Sequence, residues 1–288
     1  MKLLTIDSRE VTGRPGVLLD SGEILDLATA PSTLSESQWI PHSVVSVMAA
    51  GRDGIERVAR LVNAAGQSDT SHLREVGALL PYRGTALLAP VRRPGLVLLV
   101  DRDGAGLIKS PNAAVGNGAL VRRPSAEIDT LVGSPMLALV IGRPLFSASR
   151  AESAEAIAGY TLLMDLSCTR PDGSDAAAWR RYVDGKQFPG ACPIGPVIVT
   201  DDELEEPGRL PASVRINDVE VGAGPLWPDG HDPAGRLATL SRRHAFRPGD
   251  LIAWTPSPDC AGDGRTLHPG DRFSVACPDL PELEVTIE

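Results

Sequence analysis

The hydrophobic pattern of this chain changes period several times, and each change predicts an element. Lys2 to Ile6 reads as a strand. Gly16 to Leu27 reads as a hairpin turning at Asp20-Ser21-Gly22. From Pro41 to Ala65 the period lengthens: Val44, Val45, Met48, Ile55, Val58, Leu61 and Val62 return at helical spacing. That predicts a helix broken near Gly51 and restarted by Asp53. Leu87 to Val91 predicts another strand. Leu96 to Val100 is nearly all apolar and predicts a strand buried on both faces. Ala151 to Leu163 predicts a helix, with Ser149 and Glu152 spaced as a capping box. Beyond Pro196 the chain reads as short strands and turns. Pro248-Gly249-Asp250 and Pro269-Gly270-Asp271 repeat one device, a turn leading into a strand.

Arg92-Arg93-Pro94-Gly95 marks a joint, so two units are expected: a small α/β domain over 1–91 and a larger core over 92–288. The fold class expected is α+β, mostly β. Hydrophobic residues make up 42% of the 288, enough for a packed core. The formal charge of -9 argues against nucleic acid or an anionic membrane as partner. No apolar run reaches the roughly 20 residues of a membrane helix, and the start reads as a strand rather than a signal peptide. A cytoplasmic protein is expected. Cys168, Cys192, Cys260 and Cys277 are widely spaced and are expected to remain thiols, with no zinc-ligand spacing. Lysine occurs only at Lys2, Lys109 and Lys186, which draws attention to the two interior ones.

Several motifs then fall in a telling order. Ile108-Lys109-Ser110-Pro111 precedes Val115-Gly116-Asn117-Gly118. Leu137 to Arg143 reads Leu-Ala-Leu-Val-Ile-Gly-Arg. Ala158-Gly159-Tyr160-Thr161 leads to Met164-Asp165-Leu166-Ser167. Trp179, Gly185-Lys186-Gln187-Phe188, Pro193-Ile194-Gly195-Pro196, the two Pro-Gly-Asp turns and Thr255-Pro256 follow. This series resembles the fumarylacetoacetate hydrolase family. The resemblance implies a compact roll of mixed β-sheets, a homodimer, and an enzyme acting on a small acid. It also implies Mg²⁺ or Mn²⁺ held by three carboxylates, chelating a 2-oxo acid or diketone and stabilising an enolate.

The resemblance fails where the metal would bind. Two of the carboxylate positions fall on Ser134 and Met136, and only Asp165 remains acidic. Glu127 and Asp129 are the acidic pair nearby that could stand in. The family's lid, with its water-activating histidine and glutamate, is reduced to the short stretch Asp101 to Leu107. No bound metal is expected, and Asp165 is the weak candidate ligand.

The remaining chemistry falls to a few residues. Lys186 matches the family's lysine beside the oxyanion or enolate, and it is expected to pair with Asp165 in a catalytic dyad. His231 is a candidate base in place of the lost lid histidine. Lys109 and Thr255 are candidate contacts to a small acidic substrate. Cys168 is expected to be a buried, inert thiol. No dinucleotide fingerprint, phosphate loop or nucleophile elbow is present. The expected activity proceeds through an enolate-like intermediate of a 2-oxo or β-dicarbonyl acid, as tautomerase, decarboxylase, cyclase or C–C hydrolase. The alternatives are a non-catalytic small-acid or partner-binding relative, and an ordinary magnesium-dependent C–C hydrolase.

Overall fold

A computed structural model of the chain describes residues 1–8, 13–34, 41–124, 130–169, 185–204, 206–227, 230–256, 260 and 264–288. Glu127, Asp129 and Trp179 lie outside them.

The N-terminal strands form as the pattern predicts. Strand β1 (Lys2–Ile6) pairs with β2 (Arg14–Leu18), which turns back into β3 (Glu23–Asp26), with β4 (Leu79–Pro81) beside it. Helix α1 (Ala30–Thr33) follows β3. The predicted broken helix is α2 (Val44–Ala49) and α3 (Gly51–Gly66). The break falls at Gly51, whose φ of 62° lies in a region that glycine enters freely. Ser43 caps α2, its hydroxyl accepting from Ser46 N at 3.1 Å. Helix α4 (Thr70–Glu75) and strand β5 (Leu87–Leu88) lead to the joint.

The core is built on a long hairpin. Strand β10 (Thr130–Ile141) and β11 (Ile157–Thr169) pair along almost their whole length. Beyond β11 lies β12 (Cys192–Thr200), and β1 pairs with it, so the N-terminal strands continue the same sheet. On the other side of β10 come β15 (Leu251–Trp254), β6 (Val97–Val100) and β7 (Gly106–Lys109). From β7 the chain turns into β8 (Ala114–Val115), which pairs in parallel with β12. The sheet therefore rolls round, and its inner face is enclosed. All four residues of β6 are buried, as expected of a strand covered on both faces.

A second sheet runs β14 (Val219–Pro225), β13 (Pro211–Ile216), β16 (Arg272–Cys277), β17 (Leu280–Ile287) and β9 (Ala119–Val121). It packs on the first sheet at Gly133, where an added Cβ would stand 2.8 Å from Phe273 Cζ. The two Pro-Gly-Asp turns have the same construction. Gly249 and Gly270 take φ of 88° and 90°, and each aspartate accepts a hydrogen bond from the backbone three residues back. Arg247 N reaches Asp250 Oδ2 at 2.7 Å, and His268 N reaches Asp271 Oδ2 at 2.8 Å.

One prediction is corrected. The helix expected over Ala151 to Leu163 is only α5 (Arg150–Ala156). Its capping box forms, with Glu152 N on Ser149 Oγ at 3.2 Å and Ser149 N on Glu152 Oε2 at 2.8 Å. At Ile157 the backbone turns extended and runs into β11. β12 then passes so close that a Cβ on Gly159 would stand 3.0 Å from Thr200 Cα. Tertiary pairing with β10 and β12 overrides the local helical spacing. A helix that the pattern did not predict, α6 (Pro233–Ser241), packs against α5.

Candidate active site

Alternation along the strands sorts the side chains between the two faces of the rolled sheet. Register places Ser134 opposite Asp165 and Met136 opposite Leu163. It likewise links Ala138 to Ala253, Ala253 to Leu99, and Leu99 to Leu107. Lys109, two residues beyond Leu107, therefore points to the same inner face as Ser134, Met136 and Asp165. Thr255, two residues past Ala253, continues that row.

Three charged side chains meet on this face. Lys109 Nζ donates to Asp165 Oδ1, and Lys186 Nζ donates to Asp165 Oδ2. Lys109 donates again to the Leu166 carbonyl at 3.2 Å. All three are buried, with exposures of 0% for Lys109, 4% for Asp165 and 7% for Lys186. Burial alone would raise the Asp165 carboxyl, but the two ammonium groups outweigh it and hold the pKa below the ordinary range.

Backbone bonds bring these groups together from distant parts of the chain. Cys168 N donates to Gly185 O at 2.8 Å, which pins the Lys186 segment to β11. Gln187 ties that segment to β7. Its Oε1 accepts from Ser110 N at 2.6 Å, and its Nε2 donates to Ile108 O at 3.2 Å, straddling Lys109. Sequence reasoning missed Gln187. Its place directly after Lys186, in a stretch matched to the family, was the available signal.

Of the other candidates, Thr255 lies on the inner-face row, where its hydroxyl donates to Val100 O at 3.3 Å and is left to accept rather than donate. The structure does not bring His231 to the cluster. Its ring stacks on Trp227 at 4.4 Å between centroids and meets the edge of Trp254 at 4.7 Å. Trp254 is one residue out of phase with Ala253 and Thr255, so it faces the outside of the roll. Trp227 is held there too, its indole N–H donating to Leu137 O at 3.0 Å and its ring meeting Tyr160. Both His231 ring nitrogens are buried without a hydrogen-bond partner. Burial, helped by Arg236, pushes its pKa down to about 4. Cys168 is buried, and desolvation lifts its thiol to about 11.

The described residues of this face do not fit a divalent cation. At the positions where the resemblance expects carboxylates stand Asp165, the hydroxyl of Ser134 and the thioether of Met136. Hard cations take oxygen ligands, chiefly carboxylates, and both Asp165 oxygens already hold ammonium groups. Among the described residues no three His, Cys, Asp or Glu side chains are grouped to hold a metal.

The sequence model described as "Fumarylacetoacetate (FAA) hydrolase C-terminal" matches residues 64–288. The chain belongs to the fumarylacetoacetate hydrolase family. Within this family it is 25% identical over 291 residues to oxaloacetate tautomerase YisK of Bacillus subtilis, covering 93% of this chain and 94% of that protein. It is 28% identical over 227 residues to human mitochondrial oxaloacetate tautomerase FAHD2A, covering 73% of this chain and 70% of that one. Among solved structures, 2-hydroxyhepta-2,4-diene-1,7-dioate isomerase of Mycobacterium marinum shares 27% identity at a TM-score of 0.63, over 73% of this chain and 81% of that one. Maleylpyruvate hydrolase of Sphingobium sp. SYK-6, solved with manganese(II) and pyruvate, has the same fold. Its TM-score is 0.75 over 100% of this chain and 98% of that one, at 24% identity. The mostly β fold expected from the motifs is thus the family fold. No helix of the described residues is long and apolar enough to cross a membrane.

Proposed function

We propose that this protein is an enzyme that interconverts keto and enol forms of a small 2-oxo diacid resembling oxaloacetate. The observation carrying the proposal is the buried Lys109–Asp165–Lys186 cluster, in which ammonium groups stand where negative charge would develop on an enolate oxygen. The names of the two tautomerase relatives support the choice of reaction.

The proton balance closes within the cluster. Lys109, fully buried, fixes Asp165 in place and adds positive charge behind it. Asp165 takes the carbon-bound proton as the C–H bond breaks, while Lys186 gives a proton to the carbonyl oxygen. A proton then crosses the Asp165–Lys186 hydrogen bond and restores both groups. A carboxylate is a weak base for a C–H bond, so the two ammonium groups must do much of the stabilising as charge moves to oxygen. Thr255 accepts a hydrogen bond from the substrate or shapes the wall. His231, on the outer face, has no part in this scheme.

The same proposal confines catalysis to residues 92–288, treats 1–91 as an accessory domain, and takes the working form as a cytoplasmic homodimer. The test follows the decay of enol-oxaloacetate by absorbance, with wild type and Lys186→Met, and with and without EDTA. Acceleration over buffer that Lys186→Met lowers supports the proposal. No acceleration with oxaloacetate or any acylpyruvate rejects it. A small acid that then raised the melting temperature without turnover would identify a binding protein instead.

A further inference from the structure

We infer that Gln187 is a positioning residue: its side-chain amide stands in for one residue of a parallel strand and holds Lys186 in register with Lys109 on Asp165. The catalytic consequence rests on the reaction proposed above; the positioning itself rests on three observations.

The first is how the segment of Lys186 is anchored. Residues 185–191 form no strand. Both ends are bonded to β11, Cys168 N donating to Gly185 O at 2.8 Å and Leu166 N to Ala191 O at 3.0 Å. Lys109 instead lies on β7, the end strand of the sheet, with β10, β15 and β6 between it and β11. Among the described residues no backbone bond joins 185–191 to β7; the Gln187 amide makes that connection.

The second is the pattern of its two bonds. Oε1 accepts from Ser110 N at 2.6 Å, and Nε2 donates to Ile108 O at 3.2 Å. A residue in a parallel strand bonds in the same way, to the carbonyl before and the N–H after the residue it faces. Only one orientation of the amide satisfies both partners, since a backbone N–H must meet oxygen and a carbonyl must meet nitrogen. The register agrees. Gln187 precedes Cys192 by five residues, as Lys109 precedes Ala114, and Ala114 is paired in parallel with Cys192. The side chain thus continues the β8–β12 pairing back to Lys109.

The third is adjacency. Gln187 directly follows Lys186, whose ammonium group is bonded to Asp165 Oδ2. Lys109, between the two backbone groups that Gln187 holds, is bonded to Asp165 Oδ1. Each lysine reaches one oxygen of the same carboxylate from a segment that this amide fixes. A small displacement of a reacting group costs a large factor in rate, and a turn tied to β11 alone would give Lys186 that latitude.

The test compares wild type with Gln187→Leu, which keeps the bulk of the side chain and loses both bonds. Lysine occurs only at Lys2, Lys109 and Lys186, so acetylation of the native protein followed by peptide mass spectrometry reads each one separately. In Gln187→Leu, Lys186 is expected to react about tenfold faster. Lys109, kept by β7 and by its bond to the Leu166 carbonyl, is expected to stay protected. Turnover of enol-oxaloacetate is expected to fall about tenfold in kcat with KM nearly unchanged. In wild type the Ser110 amide is expected to exchange its hydrogen slowly, although its partner is a side chain. Unchanged Lys186 labelling, equal acceleration at both interior lysines, unchanged kcat, or fast Ser110 exchange in wild type would each overturn the inference. Should Gln187→Leu not fold, the wild-type exchange decides the matter, slow exchange supporting the clamp and fast exchange rejecting it. No turnover by wild type would sink the enzymatic reading and leave the labelling to decide the positioning.

Discussion

Ser134 and Asp165 stand opposite one another across the β10–β11 ladder, on the face of the sheet that also carries Met136 and Lys109. That carboxylate faces a hydroxyl and holds two ammonium groups. The consequences can be measured in stability as well as in activity.

Removing Lys186 leaves Asp165 its bond to Lys109, whereas removing the carboxylate takes away the group that joins the two buried ammonium groups. Asp165→Asn is therefore expected to cost about 3–5 kcal/mol, and Lys186→Met much less. Chemical denaturation of both variants checks the order, and equal losses would reject this charge arithmetic. The pH dependence follows. The folded pKa of Asp165 lies below the ordinary 3.8. Its contribution is complete above that value and disappears only as pH falls through the depressed one.

Lys186→Met should lower the tautomerisation rate by about 10²-fold while the circular dichroism spectrum is retained, the size typical of losing one donor to a developing oxyanion. An unchanged rate would remove Lys186 from the mechanism.

His231→Phe should stabilise the protein by about 1 kcal/mol, because it keeps the stacking on Trp227 and deletes two unsatisfied nitrogens. Wild-type stability should decline as pH falls from 6.5 to about 4, since the unfolded imidazole takes up a proton that the folded one refuses. The variant should lack that decline. Activity is expected to survive, and its loss would return His231 to the active site.

Gly133→Ala should destabilise the fold by about 1–3 kcal/mol through overpacking against Phe273, and Phe273→Leu in the same chain should recover part of the loss. Thermal melts of the single and double variants measure the coupling.

All four cysteines are buried, and desolvation raises their thiols, to about 11 for Cys168 and Cys260 and about 12 for Cys192 and Cys277. Intact mass after iodoacetamide at pH 8 should show no alkylation of native protein and full alkylation in denaturant.

Much of this fold could be read from local pattern. Gly51, the capping box at Ser149 and the paired Pro-Gly-Asp turns are signals whose physics is contained within a few residues. Ile157 to Leu163 misled because their apolar spacing suits a helix, while the neighbours that pull them into β11 come from β10 and β12. The Lys186–Asp165 pair was accessible because both lie in motifs of one family. The Lys109–Asp165 bond was not, although Lys109 lies in a motif of the same family, since it spans the interior of the roll between residues 56 positions apart. His231 was misplaced for a related reason. The face it occupies is set by the phase of Trp254 in β15, and a loop histidine carries no such phase in its own sequence.

The alternation of β10 has one more consequence. Its even-numbered positions look inward at the charged trio, and its odd-numbered ones, Leu137 and Leu139 among them, are packed on the opposite side. Ser134 and Met136 thus belong to the face of the trio and not to the wall behind it. One ribbon thereby keeps the positions that face the chemistry apart from those that pack the scaffold.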